Sequence, residues 1–344
     1  MSLKIKPPVT ALYELTLKCN MKCIHCGSSA GKERKEELTT EEWNSVTDQL
    51  ANVGCKRIAL LGGEPFLRKD WYELSKNVLD NNMKVIYITN GYLLDGKKVE
   101  KIRKINPFVV GVSLDGSNAN THDRIRGING SFDKSRNALL MLSKNNIPST
   151  AVTTINKLNF KELPHIREWL LNRGITWQLQ IAIPIGRFRK ELMLSKEEFY
   201  SAALFIAATR RKYRIKELPI MGAHSFGYYS KVLPNHAILP NWNGCQAGIT
   251  AIAIQSNGGV KGCLSLPEEF VEANIKEKRL KEIWEDPNFC SFMRSFNKQN
   301  LNGECKECKY GKKCKGGCMA ASVSLTGEKF SNPYCFKLIE ENYM

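Results

Sequence analysis

The chain has no apolar run long enough to cross a membrane, and its opening residues, Met1-Ser2-Leu3-Lys4-Ile5-Lys6, lack the apolar core and cleavage site of an export signal. It has no long polar tract, no low-complexity segment and no internal repeat. Its 51 Lys and Arg residues outnumber 34 Asp and Glu, yet they are scattered and form no basic stripe with interleaved aromatics, which argues against a nucleic-acid groove. These absences point to a cytoplasmic globular protein. At 344 residues, 42% hydrophobic and 25% charged, the chain can build two domains and a sizeable core. Its formal net charge of +17 suits an anionic partner: nucleic acid, an acidic peptide or an anionic small molecule.

Cysteine, by contrast, is plentiful, with twelve in the chain. Without an export signal a disulfide framework is excluded, and metal ligation is the better use. Cys19, Cys23 and Cys26 form one group, while Cys245, Cys263, Cys305, Cys308, Cys314, Cys318 and Cys335 crowd the last third. The first group lies in Cys19-Asn20-Met21-Lys22-Cys23-Ile24-His25-Cys26, just after an apolar run. Three thiolates so spaced suit three irons of a four-iron cluster and expose the fourth, whereas a closed zinc site takes four ligands. Cys55 reads as a small buried residue seating a helix on a strand. Cys290, beside Phe289, Phe292 and Phe296, reads as core packing, with a fourth-ligand or hydrogen-donor role as the alternative.

From residue 11 to about residue 214, short apolar runs alternate with longer amphipathic ones. Strands are expected over 11–17, 57–61, 84–89, 108–113, 149–154 and 175–181. Helices are expected over 40–53, 70–82, 95–104, 132–145, 159–173 and 195–213, with Thr39 capping the first. Six strand-helix units in succession call for a parallel sheet with helices outside it. Polar or glycine-rich segments close the strands: Leu61-Gly62-Gly63-Glu64-Pro65, Thr89-Asn90-Gly91, Ser113-Leu114-Asp115-Gly116 and Pro184-Ile185-Gly186. Gly62 and Gly63 let backbone approach a ligand, Glu64 offers an acceptor for an ammonium group, and Pro65 stiffens the exit. His122-Asp123-Arg124-Ile125-Arg126-Gly127 reads as a loop on which Arg126 presents a bidentate fork to a carboxylate. Asp115 reads either as a ligand contact or as a turn former. Beyond Leu218-Pro219, residues 220–244 read as a bridge and 249–264 as a β-hairpin, where Asn257-Gly258 supplies the positive φ angles of a tight turn. Helices over 279–286 and 287–296 then lead into a Gly/Lys-rich cysteine knuckle.

The Cys-x3-Cys-x2-Cys spacing resembles the signature of the radical SAM superfamily, whose members cleave S-adenosylmethionine (AdoMet) reductively on an exposed iron. The resemblance implies an α/β chain: a partial (β/α)6 TIM-like barrel over 1–215, a bridging segment over 216–244, and a small α+β cysteine-rich SPASM domain over 245–344. It implies one [4Fe-4S] cluster on Cys19, Cys23 and Cys26. It also implies an AdoMet pocket lined by His25, Gly62, Gly63, Glu64, Pro65, Thr89, Asn90, Ser113, Asp115 and Arg126. In that pocket the Gly-Gly-Glu-Pro segment holds the methionyl amino group, His25 packs beside the adenine, and Pro184-Ile185-Gly186 makes an adenine-side backbone contact. No side chain is assigned as a catalytic acid or base.

Cys245-x12-Gly258-x4-Cys263, then Cys305-x2-Cys308-x5-Cys314-x3-Cys318, then Cys335 is similar, spacing for spacing, to the SPASM extension of peptide-modifying radical SAM proteins. The similarity implies two auxiliary [4Fe-4S] clusters, one on Cys305, Cys308, Cys314 and Cys335, the other on Cys245, Cys263 and Cys318. With the AdoMet cluster that makes three. The second auxiliary cluster lacks a fourth cysteine, a gap for Cys290, another side chain or the substrate to fill. A zinc knuckle of Cys305, Cys308, Cys314 and Cys335 would leave Cys245, Cys263 and Cys318 unexplained. Sulfatase-maturing relatives have a further cysteine followed by an aspartate; here Leu264 and Ser265 follow Cys263, which speaks against that subfamily.

The expected activity is cleavage of AdoMet to a 5′-deoxyadenosyl radical and oxidative modification of a ribosomally made peptide, by a thioether or carbon-carbon crosslink. Oxidation or decarboxylation of a small molecule such as a tetrapyrrole is the alternative, and a cluster-bearing nucleic-acid-binding protein is a third reading. The expected partners are a precursor peptide and a low-potential electron donor of the flavodoxin or ferredoxin type, under anaerobic conditions. Because the first strand begins near Ala11, a separate protein or the barrel itself would receive the peptide's leader. Neither a membrane nor nucleic acid is an expected partner.

Overall fold

Aliphatic and β-branched runs bounded by glycine or polar residues form the strands, and apolar stripes at helical spacing form the helices between them. The structure, a computed structural model, describes residues 5–223, 226, 229–233 and 243–343. Strands β1 (Thr10–Thr16), β2 (Arg57–Gly62), β3 (Lys84–Thr89), β4 (Val109–Ser113), β5 (Ser149–Ile155), β6 (Thr176–Ile181) and β7 (Ile220–Gly222) appear in that order. Between them lie α1 (Thr40–Asn52), α2 (Trp71–Asp80), α3 (Gly96–Ile105), α4 (Ala119–Arg126), α5 (Ser131–Lys144), α6 (Leu163–Leu170) and α7 (Lys196–Lys212). The chain divides into two compact units, and the division falls inside β4.

The first unit comprises Met1–Met21, Ser28–Gly111 and Gln246–Phe296. Here β1, β2 and β3 pair in parallel, with Ala11 opposite Ile58 and Ile58 opposite Val85, and their buried side chains form the core under α1 and α2. A capping box starts α1: Thr39 Oγ1 accepts from Glu42 N, and Glu42 accepts from Thr39 N. The predicted hairpin forms from β8 (Ala251–Ile254) and β9 (Gly259–Lys261), with β10 (Ala273–Asn274) antiparallel to β9. Its turn differs from the expected one. Only Gly258 takes a positive φ, +93°, and Gly258 N donates to Gln255 O at 2.9 Å, so the hairpin turns through a wider loop with a glycine bulge. In addition, β8 pairs in parallel with β1, a non-local pairing that local periodicity does not reveal. Helices α8 (Leu280–Glu285) and α9 (Ser291–Arg294) follow, and α8 is tied down by Trp284 Nε1 donating to Lys6 O.

The second unit comprises Lys22–Gly27, Val112–Cys245 and Asn297–Met344. Strands β5, β6 and β7 pair in parallel. Thus the bridge expected over 220–244 opens with a strand, while 224–225, 227–228 and 234–242 lie outside the described residues. The segment 119–126, expected as a loop, is helix α4. Asn118 caps it by accepting from Thr121 N, the Glu162 carboxylate accepts from Ser117 N and Asn118 Nδ2, and left-handed Gly127 ends it. The chain ends with α10 (Gly311–Cys314), α11 (Met319–Thr326) and α12 (Phe336–Tyr343). Phe336 of α12 stacks on Phe199 of α7 at 4.6 Å between ring centroids, and Phe199 stacks on Phe226 at 5.6 Å.

One buried charge pair staples three parts of the first unit. Glu14, on β1, accepts from Arg34 Nε at 2.5 Å and from Ser256 Oγ at 3.1 Å, and Arg34 reaches on to exposed Glu268 at 3.0 Å. Replacing Glu14 by Ala leaves the half-buried guanidinium and Ser256 uncompensated, and should lower unfolding stability by about 3 kcal/mol. Glu268→Ala, at the solvent end of the same network, should cost about 1 kcal/mol or less. Urea midpoints of the two variants check this; equal losses would contradict it.

Candidate functional site

In the first unit the cysteine segment begins as β1 ends. Cys19 N donates to Gly31 O, and Gly31 N donates to Leu17 O, both at 3.0 Å, so the outgoing and returning strands of the loop lie side by side. The end of β2 presses against this start: Gly63 N donates to Thr16 O at 2.7 Å and Glu64 N to Lys18 O at 2.9 Å. A Cβ on Gly62 would sit 2.4 Å from Thr16 O, and one on Gly63 would sit 2.1 Å from Lys18 O. The glycines therefore admit the backbone of the cysteine loop itself.

Glu64 is fully buried. Its carboxylate accepts from Thr89 Oγ1 at 2.7 Å, from Asn90 N at 2.9 Å and from Phe66 N at 3.3 Å, while Pro65 opens a short helical turn. Asn90 Nδ2 in turn donates to Asn20 Oδ1 at 2.8 Å. The unit thus brings together the ends of β1, β2 and β3. Asn20 was not singled out in the sequence; the one signal was a side-chain amide flanked by the first two cysteines of the spaced triplet.

In the second unit, the turn from Cys23 to Cys26 is closed by Cys26 N donating to Cys23 O at 3.3 Å. Arg187, which the sequence reading passed over, holds it twice: its Nε donates to Cys23 O and its backbone N to Cys26 O, each at 3.1 Å. Gly186 (φ +60°) is what lets Arg187 come so near, since a Cβ there would lie 2.4 Å from Cys26 O. Pro184-Ile185-Gly186 accordingly seats on the cysteine turn.

Beyond β4, Asp115 is fully buried and organises its surroundings. Its carboxylate accepts from Thr154 N at 2.7 Å and from Arg126 Nη1 at 3.0 Å, and lies 3.5 Å from His25 Nε2. Asp115 N donates to His122 Nδ1 at 3.1 Å. Burial lowers the pKa of His25 and of His122 to about 4, outweighing the pull of Asp115, so both rings are neutral. Burial alone would raise the Asp115 carboxyl, but His25 and Arg126 beside it hold it below its usual range. Arg126, expected to present its fork on a loop, instead turns inward from the last turn of α4 onto Asp115.

The last-third cysteines distribute as follows. Cys305, Cys308, Cys314 and Cys335 line one cavity with Tyr229 and Tyr310, whose rings stack at 4.4 Å. Burial pushes the Cys314 thiol well up and that of Cys335 up to about 11, so this pocket favours neutral thiols until a cation enters. Cys245 and Cys318 belong to the second unit and Cys263 to the first. Cys290 is fully buried in a left-handed conformation, its N donating to Glu272 at 2.7 Å and its Sγ packed against Gly248 and Gly262, the residue before Cys263. Cys55 is buried with its Sγ donating to Arg57 O.

The donor chemistry fits iron-sulfur groups. Four thiols face one cavity, a donor set of the kind that ligates an iron-sulfur cluster. Asn20 Nδ2 in the first unit, and separately His25 Nδ1 in the second, are buried without a hydrogen-bond partner, as polar atoms that meet a ligand are.

Alternating strands and helices that open on a three-cysteine loop and close on a cysteine-rich extension define the class of AdoMet-cleaving iron-sulfur enzymes. The chain belongs to the radical SAM superfamily: that family's profile matches residues 13–170, and the SPASM iron-sulfur cluster-binding domain matches residues 245–309. The fold is the partial TIM-like barrel followed by a SPASM domain. The chain is 30% identical to the AdoMet-dependent heme synthase of Methanosarcina barkeri, over 95% of this chain and 96% of that protein. It is 27% identical to the mycofactocin maturase MftC of Mycolicibacterium smegmatis, over 95% of this chain and 81% of that protein. Streptococcus suis SuiB, solved with S-adenosylmethionine, shares the fold with a TM-score of 0.76 and 20% identity, over 95% of this chain and 77% of SuiB. The implied cofactors are AdoMet, one AdoMet-binding [4Fe-4S] cluster and the SPASM auxiliary clusters.

The Asp115 network generates a test. Asp115→Ala strands a buried guanidinium and should cost about 3–5 kcal/mol of stability, whereas Asp115→Ala with Arg126→Met should recover part of that loss. Denaturation midpoints decide it, and a double variant no more stable than the single one would refute the pairing.

Proposed function

We propose that this enzyme oxidatively modifies a ribosomally made peptide, forming a thioether or carbon-carbon crosslink. The observation that carries the reading is the seven-cysteine pattern from Cys245 to Cys335, four of whose members line one cavity, on a chain similar over most of its length to a peptide maturase. The fold is also one that receives a peptide in another protein, since SuiB has been solved bound to its precursor peptide SuiA.

In this proposal Cys19, Cys23 and Cys26 hold the cluster that binds AdoMet, and the two auxiliary groups sit on Cys305, Cys308, Cys314, Cys335 and on Cys245, Cys263, Cys318. When bound, the cluster and AdoMet would supply the one-electron chemistry needed to remove a hydrogen atom from the substrate. The chain's own residues position and enclose. Gly62 and Gly63 bring Glu64 against the cysteine loop, and Thr89 and Asn90 orient its carboxylate towards an ammonium group; Ser113 is a further proposed AdoMet contact. Asp115 and Arg126 act as a pair that fixes the neutral His25 ring for packing beside the adenine. An electron donor and a protein that presents the peptide's leader belong to the same proposal.

A second reading, oxidation or decarboxylation of a tetrapyrrole, is favoured by the 30% identity to a heme synthase over nearly the whole of both chains. One assay separates the two. Anaerobically reconstituted enzyme, given AdoMet and dithionite, should form 5′-deoxyadenosine and convert a short peptide encoded beside its gene to a product lacking two hydrogens per crosslink. Loss of carbon dioxide from a carboxylated iron tetrapyrrole, with every such peptide unchanged, would overturn the peptide reading. Replacing Cys19, Cys23 and Cys26 together by Ala should abolish 5′-deoxyadenosine formation while leaving about two-thirds of the iron bound.

A further inference from the structure

Within the second unit, the turn that carries Cys23 and Cys26 is gripped from two sides. On one side Ile24 N donates to Ile125 O at 3.0 Å, and Gly127 (φ +72°) comes so near that a Cβ there would lie 2.7 Å from Lys22 O. On the other side the loop after β6 brings up Gly186 and Arg187, and Phe188 pins that loop by burying itself with Ala182 and Met193. The two grips differ in charge. The first is neutral backbone, whereas the second carries a guanidinium: Arg187 Nε donates to Cys23 O at 3.1 Å and Arg187 N to Cys26 O at the same distance. Only the first of these two bonds needs the side chain, because any residue but proline supplies the backbone N–H. Arginine adds a cation that deprotonation does not remove. Its charge is felt at the sulfur: burial raises the Cys23 thiol, and the guanidiniums of Arg126 and Arg187 both oppose that rise. Arg126, however, is answered by the Asp115 carboxylate at 3.0 Å, and Asp115 acts on Cys23 in the opposite sense.

We propose that Arg187 is a positioning residue for AdoMet cleavage, which locks the Cys23–Cys26 turn and sets a permanent positive charge beside a cluster ligand, so that the electron enters more readily. The inference deepens the assignment of Cys19, Cys23 and Cys26 to the AdoMet-binding cluster and rests on it. Reduction adds one negative charge to a cluster, and a fixed cation nearby favours the reduced state; charge and hydrogen bonding around a cluster are what set its potential. The electron comes from the low-potential donor, and no bond or proton moves at Arg187.

Two variants separate charge from support. Arg187→Gln removes the cation and keeps a side-chain donor, Arg187→Lys keeps the cation and loses the planar fork, and both retain the backbone bond to Cys26 O. The readout is an anaerobic redox titration of reconstituted enzyme, followed on the paramagnetic signal that the Cys19, Cys23 and Cys26 triple Ala variant lacks. Arg187→Gln should lower the equilibrium constant for one-electron reduction about tenfold, a shift of about 59 mV to more negative potential, with iron content unchanged. Arg187→Lys should stay within about threefold of the unsubstituted enzyme. An unshifted potential in Arg187→Gln, or an equal shift or loss of iron in both variants, would leave Arg187 a merely structural support and overturn the proposal. If the triple variant lacks no signal, the cluster assignment itself fails and takes this inference with it, an outcome distinct from the others.

Discussion

The constraint on which this structure depends is steric: the backbone of the cysteine loop has to be approached by other backbone at distances that no side chain permits. Gly63 meets Lys18 O in the first unit, and Gly186 meets Cys26 O in the second. A loop that must present three thiolates to one inorganic group has few hydrogen bonds of its own, because its residues are neither helix nor strand. Its carbonyls are instead satisfied from outside, by Gly63 N, Glu64 N and Arg187. The rigidity of the loop is borrowed from strand ends that belong to the barrel.

The same economy governs the polar residues around it. Glu64 and Asp115 are both fully buried carboxylates, and a buried charge is tolerable only with several donors aimed at it. Glu64 receives Thr89 Oγ1 and two backbone N–H groups; Asp115 receives Thr154 N and Arg126. The two are not equivalent. The donors named for Glu64 are neutral, whereas Asp115 also meets a guanidinium. Asp115, a candidate AdoMet contact, thus also ties Arg126 and Thr154 together.

What the sequence made legible follows the range of the interactions. The six strands and most helices were readable because hydrophobic periodicity and capping pairs such as Thr39 with Glu42 act within a few residues. Helix α4 was not, because Ile125 is its one large apolar residue and leaves no apolar stripe, and Glu162, some forty positions away, helps to hold its start. The pairing of β8 with β1 was hidden for the same reason. Among site residues, cysteine spacing exposed the thiol groups directly, since ligand chemistry is written in residue type. The roles of Gly62 and Gly63 were half legible: glycine announces a close approach but does not say which atom approaches. Arg187 was invisible because nothing in its type distinguishes an arginine that holds two carbonyls from one in solvent.

These commitments bear on how one scaffold serves different substrates. Residues at the ends of β2 and β3 are hydrogen-bonded to the cysteine loop or to each other, and Asp115 beyond β4 lies against His25 of that loop. Sequence identity at similar levels to a heme synthase and to a peptide maturase does not by itself name the target of the reaction. In a shared scaffold, choice of substrate falls to loop side chains outside the common machinery. A difference of three percentage points between two such relatives cannot outweigh a handful of those positions, and for that reason the product of the reaction, not the fold, decides between crosslinked peptide and altered tetrapyrrole.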